Sequence, residues 1–499
     1  VGGVSHDSRT VSPGQLYAAL PGANVHGAKF APDLMERGIT AILTDAAGWD
    51  MISAAVDPQT LAEVTGLIVE HPRSVLGFVS AAVYGTSVSP QLIGVTGTNG
   101  KTTTTYLVDG MLEALGHRTG VIGTVATLIA GLREPSVRTT PEAPELHALF
   151  AKMRAADVDT CAMEVSSHAL SQHRVDGAHF AVSGFTNLSQ DHLDFHNSMD
   201  EYFDVKAQLF TRTFSDAAVI VVEDRWGEKM VEAAQVPVRT LGRDDRSELR
   251  IEHTPGVSDF ILHLGGSADE TIALRSPLPG DFNVTNTALA AAMLLEAGIA
   301  VSDLNAIGRT FSASVPGRME IIDVSGPRAE GQTHPERLPR AIVDYSHTPD
   351  AIEKALASLH ADSEELVIVF GAGGDRDRGK RYGMGQAAAR GADVIVLTDD
   401  NPRTEDPNLI RAAIREGIDA EISNGRARVK KVIEVAERGS AIDEAIAAAE
   451  ASTTVLIAGK GHETGQSAGG VVTDFDDRSR TRSALCTRLG GAQTGKVHS

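Results

Sequence analysis

The sequence predicts an α/β protein with several domains, and three observations support this prediction. Residues 88–315 alternate short apolar strands with helical patterns, which is typical of a mostly parallel sheet. A glycine-rich turn joins one of these strands to a helix near residue 100. The same alternation restarts after a Pro-Gly pair at residues 316–317, as at a domain boundary. We therefore predict a small N-terminal α/β domain over residues 1–87, a central phosphate-loop (P-loop-type) domain with a mostly parallel sheet over 88–315, and a C-terminal α/β domain over 316–499.

The composition narrows the class of protein. Of the 499 residues, 42% are hydrophobic and 22% are charged, as in ordinary globular enzymes. The formal net charge of −21 disfavours nucleic acid and anionic membrane as partners. The 2 cysteines exclude a disulfide framework and fit a reducing compartment. No apolar run reaches the ~18–20 residues of a membrane span. We therefore expect a cytoplasmic protein without membrane insertion, and, because the chain begins without Met, a trimmed N-terminus.

The N-terminal domain is predicted to mix short strands and helices. The predicted elements are strands over 16–20, 41–44 and 67–70, a helix over 74–85 and a linker over 87–90. In the polar turn SHDSRTV over 5–11, Ser8 and Arg9 are expected to cap or anchor a neighbouring segment. Ordinary surface loops would explain this turn equally well, so the domain's sequence alone indicates no chemistry.

The strongest chemical signal is the segment LIGVTGTNGKTTTT over residues 92–105. A strand over 92–95 stops at glycines and is followed by a helix over 101–115, which is the layout of a phosphate-binding loop. The glycines let several backbone N–H groups face one anion, Lys101 adds a charge for the outer phosphates, and the Thr102 hydroxyl can ligate Mg²⁺. Val95 stands where the standard motif has its first glycine, so the loop is a variant. The alternative is a glycine-rich turn that merely caps a helix.

Two polar motifs follow strands of the central domain, at the ends where parallel sheets bind ligands. In RTTPE, Thr139 or Thr140 is predicted to cap a helix over 143–156, with Thr139 and Glu142 at capping-box spacing. Glu164 ends a strand over 159–164. A carboxylate beside a phosphate loop is a natural Mg²⁺ ligand, and the alternative is a solvated strand end. The residues that follow as donors for an anionic or polar substrate are Ser166, Gln172 and Arg174.

A third motif, DHLDFH, is followed by the helical segment DVKAQLF within a predicted helix over 199–212. His192 and His196 have the i, i+4 spacing of zinc ligands, but the glutamate of a zinc-hydrolase motif and cysteine partners are absent from the sequence around them. Lys206 lies on the predicted helix, where a single lysine is typical of a solvated surface.

The last part of the chain carries polar turns after apolar strands. A helix over 280–295 has Asp281 near its start and Asn283 and Asn286 on one face, and Arg318 lies at the predicted domain hinge. The predicted C-terminal strands, each ended by a charged, glycine- or proline-containing turn, are 341–344, 366–370, 393–397 and 454–458. Because carboxyl ends of parallel strands meet at one edge, these turns are predicted to converge on a cleft that faces the central domain. Separate caps and surface turns are the alternative.

Taken together, these motifs resemble the Mur ligases of bacterial peptidoglycan synthesis. They are, in order, GVTGTNGKTTT, TTPE, MEVSSHALSQHRV, DHLDFH, DVKAQLF, VPGRME, DYSHTPD, GGDRDRGKR, DNPR and GKGHE, and the resemblance runs from residue 5 to about residue 478. It implies a first domain that binds a UDP-linked substrate, a second that binds ATP and a Rossmann-like third that brings the incoming amino acid. The implied reaction activates a carboxylate as an acyl phosphate, which an amine then attacks to give an amide and phosphate.

The resemblance also implies roles for individual residues. The residues that match the ATP site are Gly97, Thr98, Asn99, Gly100, Lys101, Thr102, Thr103, Asn286, Arg318, Asp344 and His347. Those that match two Mg²⁺ sites are Thr102, Glu164, His192 and Lys206, with Lys206 carbamylated in this family. The implied catalytic set is Lys101, Glu164, His192 and Lys206. The residues that match the site for UDP-MurNAc-L-Ala-D-Glu are Ser8, Thr139, Thr140, Ser166, Gln172 and Arg174.

The incoming amino acid is predicted to be meso-diaminopimelate. Arg403 can hold a carboxylate with two N–H bonds, and Asp400 and Asn401 can hold the neighbouring ammonium. The remaining matching contacts are Arg376, Gly459 and Glu463. The same ligase acting on L-lysine, a folylpolyglutamate synthase, a P-loop GTPase and an inactive nucleotide-binding regulator are the alternatives. We expect a monomer whose partners are small-molecule substrates.

Overall fold

The structure is a computed structural model that describes residues 1–22, 24–86, 90–192, 195–265, 270–324, 338–360 and 363–494. Its strands form an N-terminal sheet, a central sheet, a C-terminal sheet and a small hairpin, in that order along the chain. Helices follow most of the parallel strands and pack on the sheets, so the predicted α/β class with three successive domains is confirmed. Residues 87–89 of the predicted linker lie outside the described residues.

The N-terminal sheet is parallel, with the order β1-β2-β3-β4 in the described part of the chain. Its strands are Val4–Ser5 (β1), Leu16–Ala18 (β2), Ala41–Thr44 (β3) and Thr65–Ile68 (β4). Its helices are Ala31–Glu36 (α1), Ala46–Ala55 (α2), Pro58–Ala62 (α3) and Pro72–Tyr84 (α4), with a 3₁₀ turn at Gly27–Phe30. One face buries Tyr17 and Ile42, and the other packs Leu43 against Leu76 of α4. The strand predicted over 67–70 begins at Thr65 instead, because it pairs with β3 and ends where β3 ends.

The central sheet has the order β15-β14-β13-β12-β11-β10-β5-β9-β6-β7-β8 within the described ranges. Its strands are Gln91–Thr96 (β5), Thr119–Ile122 (β6), Thr127–Ile129 (β7), Leu132–Glu134 (β8), Thr160–Glu164 (β9), Phe180–Phe185 (β10), Ser215–Val221 (β11), Val238–Gly242 (β12), Leu249–His253 (β13), Asp259–His263 (β14) and Thr271–Arg275 (β15). The strands from β13 to β6 are parallel, and the outer ones are antiparallel. A mostly parallel sheet is therefore confirmed.

Helices cover both faces of this sheet. They are Lys101–Ala114 (α5), Ala143–Ala155 (α6), Ser167–Ser171 (α7), Met199–Ala207 (α8), Arg225–Ala233 (α9), Asp281–Glu296 (α10) and Val301–Ile307 (α11). One face buries Ile93 with Leu107 and Leu289, and the opposite face buries Phe150 with Met163. The helix predicted over 199–212 is shorter, since it ends at Ala207 and a 3₁₀ turn follows at Gln208–Phe210.

The C-terminal sheet has the order β16-β17-β21-β18-β19-β20 among the residues described, and its strands are parallel except for β16. Its strands are Glu320–Ile321 (β16), Arg340–Asp344 (β17), Glu365–Phe370 (β18), Val394–Leu397 (β19), Lys431–Glu434 (β20) and Thr453–Ala458 (β21), and the hairpin is Gly465–Ala468 (β22) and Val471–Asp474 (β23). Its helices are Pro349–Leu359 (α12), Lys380–Gly391 (α13), Pro407–Ser423 (α14), Arg438–Ala448 (α15) and Asp477–Thr494 (α16). Helices pack on both faces of this sheet. Ile368 of β18 is buried on one face, and its neighbour Val369 is buried on the other.

This arrangement sets where ligands can bind. The loop after β5, the end of β9 and the turns after β17 and β18 face one another across the gap between the central and C-terminal domains. Among the described residues, every helix is too short or too polar to span a membrane.

Candidate active site

A cavity of about 760 Å³ lies between the central and C-terminal domains and is lined by residues of both. It brings together most of the residues predicted for ATP, metal and the UDP-linked substrate. Those that line it are Thr98, Asn99, Gly100, Lys101, Thr102, Thr103, Thr139, Thr140, Glu164, Ser166, Arg174, His192, Lys206, Asn286, Arg318, Asp344, His347 and Arg376. The predicted residues outside this lining are Ser8, Gly97, Gln172, Asp400, Asn401, Arg403, Gly459 and Glu463.

The phosphate loop curls tightly between β5 and α5. Gly97 has a φ of 145° and Gly100 has a φ of 92°, backbone conformations that favour glycine. A Cβ at Gly97 would lie 1.9 Å from Thr186 Oγ1, so no other residue fits without movement. Lys101 begins α5, and its Nζ donates to the carbonyls of Gly97 at 2.9 Å and Thr98 at 2.8 Å. Burial lowers the pKa of Lys101, although the carboxylates of nearby acidic residues oppose this shift.

Glu164 is held in place by Thr124, which lies outside the motifs recognised in the sequence. The Thr124 backbone N–H donates to Glu164 Oε1 at 2.7 Å, and its hydroxyl donates to Oε2 at 2.9 Å. Gly123 leaves the room for this contact, because a Cβ there would lie 2.3 Å from Glu164 Oε1. The carboxylate is therefore fixed at the end of β9, the strand next to β5, and lines the cavity beside the phosphate loop.

Lys206 is buried, although a single helix lysine is typical of a surface. It is 1% exposed, and its Nζ donates to the Gly97 carbonyl at 2.9 Å and lies 3.4 Å from Thr96 Oγ1. Lys101 donates to the same Gly97 carbonyl, so two lysine head groups meet beside the phosphate loop. Burial, reinforced by Lys101 and opposed by Asp191, lowers the pKa of Lys206 well below that of an ordinary lysine.

His192 lies beside Asp191 on a strained turn. His192 has a φ of 55°, and its Nε2 lies 3.5 Å from Asp191 Oδ2. Burial lowers the pKa of His192 to about 4, against the opposing effect of Asp191. Burial alone would raise the pKa of Asp191, but neighbouring cationic groups, led by His192 and His347, outweigh it and lower this pKa to about 2. Asp191 begins the motif DHLDFH, and its contacts with His192 and His347 add it to the predicted site residues.

The zinc alternative receives no support from the structure. His196 is 1% exposed, and its Nε2 lies 2.9 Å from the Ser167 hydroxyl. Among the described residues, no cluster of His, Cys, Asp and Glu side chains has the arrangement of a metal site. Within the described ranges, His192 and His196 are therefore not part of a group of three or more such side chains that could hold a metal.

The hinge between the central and C-terminal domains contributes Arg318 and Asp344. Arg318 Nη2 donates to the Thr102 hydroxyl at 3.3 Å, and its guanidinium lies 4.0 Å from the centre of the Tyr345 ring. Asp344 accepts from the backbone N–H of Met319 at 2.7 Å, so this carboxylate also fixes the hinge. His347 Nε2 lies 3.9 Å from Asp191 Oδ2, across the gap between the domains.

Two asparagines also stand at the phosphate loop. Asn286 of α10 donates from Nδ2 to Asn283 Oδ1 at 3.1 Å, and its own Oδ1 lies 2.6 Å from the position that a Cβ of Gly100 would take. Asn99 Nδ2 lies 3.3 Å from Asp350 Oδ2 in the first turn of α12. The C-terminal domain therefore touches the phosphate loop directly.

The residues predicted for the UDP-linked substrate form a hydrogen-bonded group, apart from Ser8. Thr140 Oγ1 donates to the Glu164 carbonyl at 2.8 Å and accepts from the Ser166 N–H at 3.1 Å. Arg174 donates to Gln172 Oε1 at 2.6 Å. Ser8 lies on the loop after β1, where its carbonyl accepts from Arg37. Arg9 pairs with Asp7 at the surface.

The predicted capping box at RTTPE is wrong. Helix α6 begins at Ala143 with Glu142 as its N-cap residue and without a side-chain capping bond. The threonine hydroxyls are used elsewhere, because Thr139 Oγ1 lies 3.0 Å from Thr124 Oγ1 and Thr140 Oγ1 donates to the Glu164 carbonyl at the end of β9. Glu142 is instead paired with arginines, and Arg174 Nε lies 2.9 Å from its Oε1.

The residues predicted for the amino acid form a second group, at the carboxyl ends of β18, β19 and β21. Arg403 has a φ of 52°, and its Nη1 donates to the Gly374 carbonyl at 2.6 Å. Asn401 Nδ2 donates to Glu463 Oε2 at 2.8 Å. A Cβ at Gly459 would lie 2.5 Å from Asp400 Oδ2, so the turn after β21 needs glycine there. Arg376 lies on the loop after β18 and also lines the main cavity.

Comparisons with known proteins identify the family of the chain and agree with its three-domain fold. Family models match three segments of the chain: "Mur ligase family, catalytic domain" over residues 1–84, "Mur ligase middle domain" over 95–294 and "Mur ligase, glutamate ligase domain" over 317–461. The UDP-N-acetylmuramoyl-L-alanyl-D-glutamate–2,6-diaminopimelate ligase of Streptomyces avermitilis is 45% identical over 492 residues, which cover 97% of this chain and 92% of that protein. The protein of the same name from Corynebacterium glutamicum is 43% identical over 486 residues, covering 95% and 89% respectively.

A solved structure supports the same conclusion. A UDP-N-acetylmuramoyl-L-alanyl-D-glutamate–2,6-diaminopimelate ligase matches with a TM-score of 0.63 at 31% identity, covering 98% of this chain and 95% of that chain. Three α/β domains and a phosphate loop that opens on an interdomain cavity are features of a nucleotide-binding protein, and the matching family models and relatives are those of ligases. The chain belongs to the Mur ligase family. It is therefore an ATP-dependent ligase that joins an acid to an amino acid.

Proposed function

We propose that the chain adds meso-2,6-diaminopimelate to UDP-MurNAc-L-Ala-D-Glu, with ATP as the energy source, in the synthesis of a peptidoglycan precursor. The observation that carries this proposal is that a nucleotide site and an amino-acid site lie close together. A phosphate loop and a fixed carboxylate line one cavity, and Arg403, Asp400 and Glu463 gather at the strand ends of the domain across from it. The curated relatives named above carry the same activity in their names.

The chemistry follows from what each substrate group requires. A carboxylate is a poor acyl donor because its oxygen is a poor leaving group. The side-chain carboxylate of D-Glu attacks the γ-phosphorus of ATP, the bond from phosphorus to the bridging oxygen breaks, and ADP leaves. The amine of diaminopimelate then attacks the carbonyl carbon of the acyl phosphate, loses a proton and expels phosphate. Lys101 and the N–H groups of the phosphate loop stabilise the charge on the phosphoryl oxygens.

Mg²⁺ is proposed to bind beside the phosphate loop, held by Thr102, Glu164, His192 and Lys206. The donor set fits this ion only in part as it stands, because Thr102 and Glu164 offer oxygen atoms whereas Lys101 and Lys206 are both cationic when protonated. When bound, the ion neutralises charge that develops on the phosphates.

A carbamate on Lys206 would remove this conflict. It replaces a cation with an anionic oxygen ligand at a position that is 1% exposed and close to Lys101. The neutral amine is the form that reacts with CO₂, and the lowered pKa of Lys206 favours that form. We therefore propose that Lys206 acts as a carbamate that supports the second Mg²⁺ site.

The amino-acid site is proposed to recognise two groups at the far end of diaminopimelate, a carboxylate and the neighbouring ammonium. The Arg403 guanidinium can pair with its carboxylate through two N–H bonds, and Arg376 can reach the same ligand from the loop after β18. Asp400 and Glu463 suit the neighbouring ammonium, and the Asn401 amide holds the Glu463 carboxylate by donating to it. The turn at Gly459 gives the ligand room. L-Lysine lacks the second carboxylate and would leave Arg403 without its partner, which penalises binding.

The UDP-linked substrate is proposed to bind along Thr139, Thr140, Ser166, Gln172 and Arg174, with Ser8 contributed by the N-terminal domain. Asn286, Arg318, Asp344 and His347 are proposed to surround the nucleotide, together with Gly97 to Thr103. The protein is proposed to act as a monomer in the cytoplasm, where ATP is available. An inactive regulator is disfavoured because Lys101, Glu164 and Lys206 all face the phosphate loop or its cavity.

The order of bond changes is open to a direct test. The D-Glu side-chain carboxylate is labelled with heavy oxygen, and the released phosphate is analysed by mass spectrometry. Transfer of one labelled oxygen into phosphate is expected, because the attacking oxygen leaves with phosphorus. Phosphate without label, formed together with the amide product, would contradict the acyl-phosphate route.

A further inference from the structure

Lys460 is a buried lysine inside the group of residues proposed to bind the amino acid. It follows β21 and is 0% exposed. Its Nζ donates to Asn401 Oδ1 at 3.0 Å and lies 3.3 Å from Glu463 Oε2. Both partners belong to the proposed amino-acid site, whereas Lys460 itself was assigned no role there.

These contacts set the orientation of the Asn401 amide. The Ser467 backbone N–H also donates to Asn401 Oδ1, at 2.9 Å. Lys460 and Ser467 are both donors, so the carbonyl oxygen of the amide must face them. The Nδ2 group then points the other way and donates to Glu463 Oε2 at 2.8 Å. A rotated amide would set donor against donor, so Lys460 restricts Asn401 to one of its two orientations.

Lys460 also balances the negative charge of Glu463 within the proposed amino-acid site. Another buried cation nearby, Arg438, is paired with Asp477, because its Nε and Nη2 each donate to that carboxylate at 2.7 Å. Lys460 is the cation in direct contact with Glu463, whose side chain is 33% exposed. The exposed part of that carboxylate remains accessible to a ligand, while its Oε2 is held by Lys460 and Asn401.

We propose that Lys460 is a positioning residue for the amino-acid substrate, acting through Asn401 and Glu463. It fixes a carboxylate and an amide before the substrate ammonium arrives, so that binding does not have to order them. This proposal rests on the proposed function, since it assigns those two residues to the amino acid. Lys460 is 0% exposed and does not line the cavity at the phosphate loop, so nucleotide binding is expected to be independent of it.

The test compares Lys460→Met with Lys431→Met, which removes an exposed lysine of β20 in the same domain. Phosphate release is measured while diaminopimelate, ATP and the UDP-linked substrate are varied in turn. Loss of hydrogen bonds to a charged group predicts a KM for diaminopimelate about 10- to 100-fold higher in Lys460→Met. The KM for ATP is expected to change by less than about twofold, and Lys431→Met is expected to match the wild type. An unchanged KM for diaminopimelate would overturn the proposal.

A double-variant cycle separates positioning from a general structural role. If Lys460 acts through Glu463, Lys460→Met combined with Glu463→Gln raises the KM by less than the product of the single effects. Effects that multiply would overturn the proposal. If Lys460→Met does not fold, seen as loss of ATP binding, Lys460→Gln replaces it, because glutamine keeps a donor but not the charge. Wild-type protein that releases no phosphate with diaminopimelate would instead refute the proposed function.

Discussion

Replacing Arg403 is the sharpest test of the proposed amino-acid site. The Arg403 backbone is held by its N–H, which donates to the Ser467 carbonyl at 2.8 Å, and its side chain is held by Nη1, which donates to the Gly374 carbonyl at 2.6 Å. A guanidinium has five N–H donors, so others are left for a ligand. In Arg403→Ala, the φ of 52° is as unfavourable for alanine as for arginine, so the change acts mainly through the side chain.

The size of the effect follows from the contacts that are lost. Hydrogen bonds to a charged group contribute about 1.5–3 kcal/mol each. Arg403 is half-buried, so two such bonds to a carboxylate at the lower limit amount to about 3 kcal/mol, or about 100-fold in kcat/KM for diaminopimelate. Arg403→Lys keeps the charge but loses the planar fork, and we expect about a tenfold loss.

The assay is phosphate release at varied diaminopimelate and, separately, at varied ATP. Arg415→Ala is the matched control, because Arg415 pairs with Asp419 on the exposed side of α14. The control and the KM for ATP are expected to stay near the wild-type values. An equal loss for ATP and diaminopimelate in Arg403→Ala would indicate a folding defect, and full activity would refute the assignment of Arg403.

Three further predictions concern the central domain. Lys206→Ala is expected to abolish ligation, and acetate or a similar small acid is expected to restore part of it by supplying an oxygen ligand; an unaffected turnover number would exclude the ligand role. Thr124→Val removes the hydroxyl bond to Glu164, so we expect the Mg²⁺ concentration for half-maximal activity to rise about tenfold, and an unchanged Mg²⁺ dependence would contradict that role. Burial raises the pKa of Asp109 to about 6, so its contribution to stability is present at low pH and is lost as pH rises from 3.8 through 6. Asp109→Asn should therefore raise the free energy of unfolding by about 3 kcal/mol near pH 8 and by about half of that near pH 5, and denaturant curves with the same difference at both pH values would refute this.

Much of the fold was predictable because its strands are buried on both faces. The runs that became β5, β9, β10 and β11 are continuous and apolar, and parallel strands of this kind are recognisable without an alignment. In β14, by contrast, Phe260 and Leu262 are buried while their neighbours are half-exposed, so the antiparallel edge gave no comparable run. The capping box failed because the spacing of Thr139 and Glu142 does not reveal that tertiary contacts occupy the threonine hydroxyls.

The site residues were predictable where they stand together in one sequence motif. They were less predictable where their role depends on contacts between segments that are distant in the sequence. Lys101 and Thr102 follow from the glycine-rich loop, whereas Lys206 has the pattern of a surface lysine and drew attention only through the family resemblance. Thr124 had no local signal that separates it from ordinary polar residues, and Lys460 stands in the motif GKGHE without any sign of its role. The importance of both lies in contacts with Glu164 and Asn401 across the fold. Such contacts depend on which strands are adjacent, which the sequence pattern alone does not specify.

Phosphate release from ATP with UDP-MurNAc-L-Ala-D-Glu and Mg²⁺ tests the central claim most directly, with meso-diaminopimelate compared against L-lysine at equal concentration. Release with diaminopimelate and almost none with L-lysine is the predicted result, because Arg403 requires a second carboxylate. Release with L-lysine at the same rate would contradict the proposed specificity and leave the ligase chemistry in place. No release with either amino acid would contradict the proposed function itself.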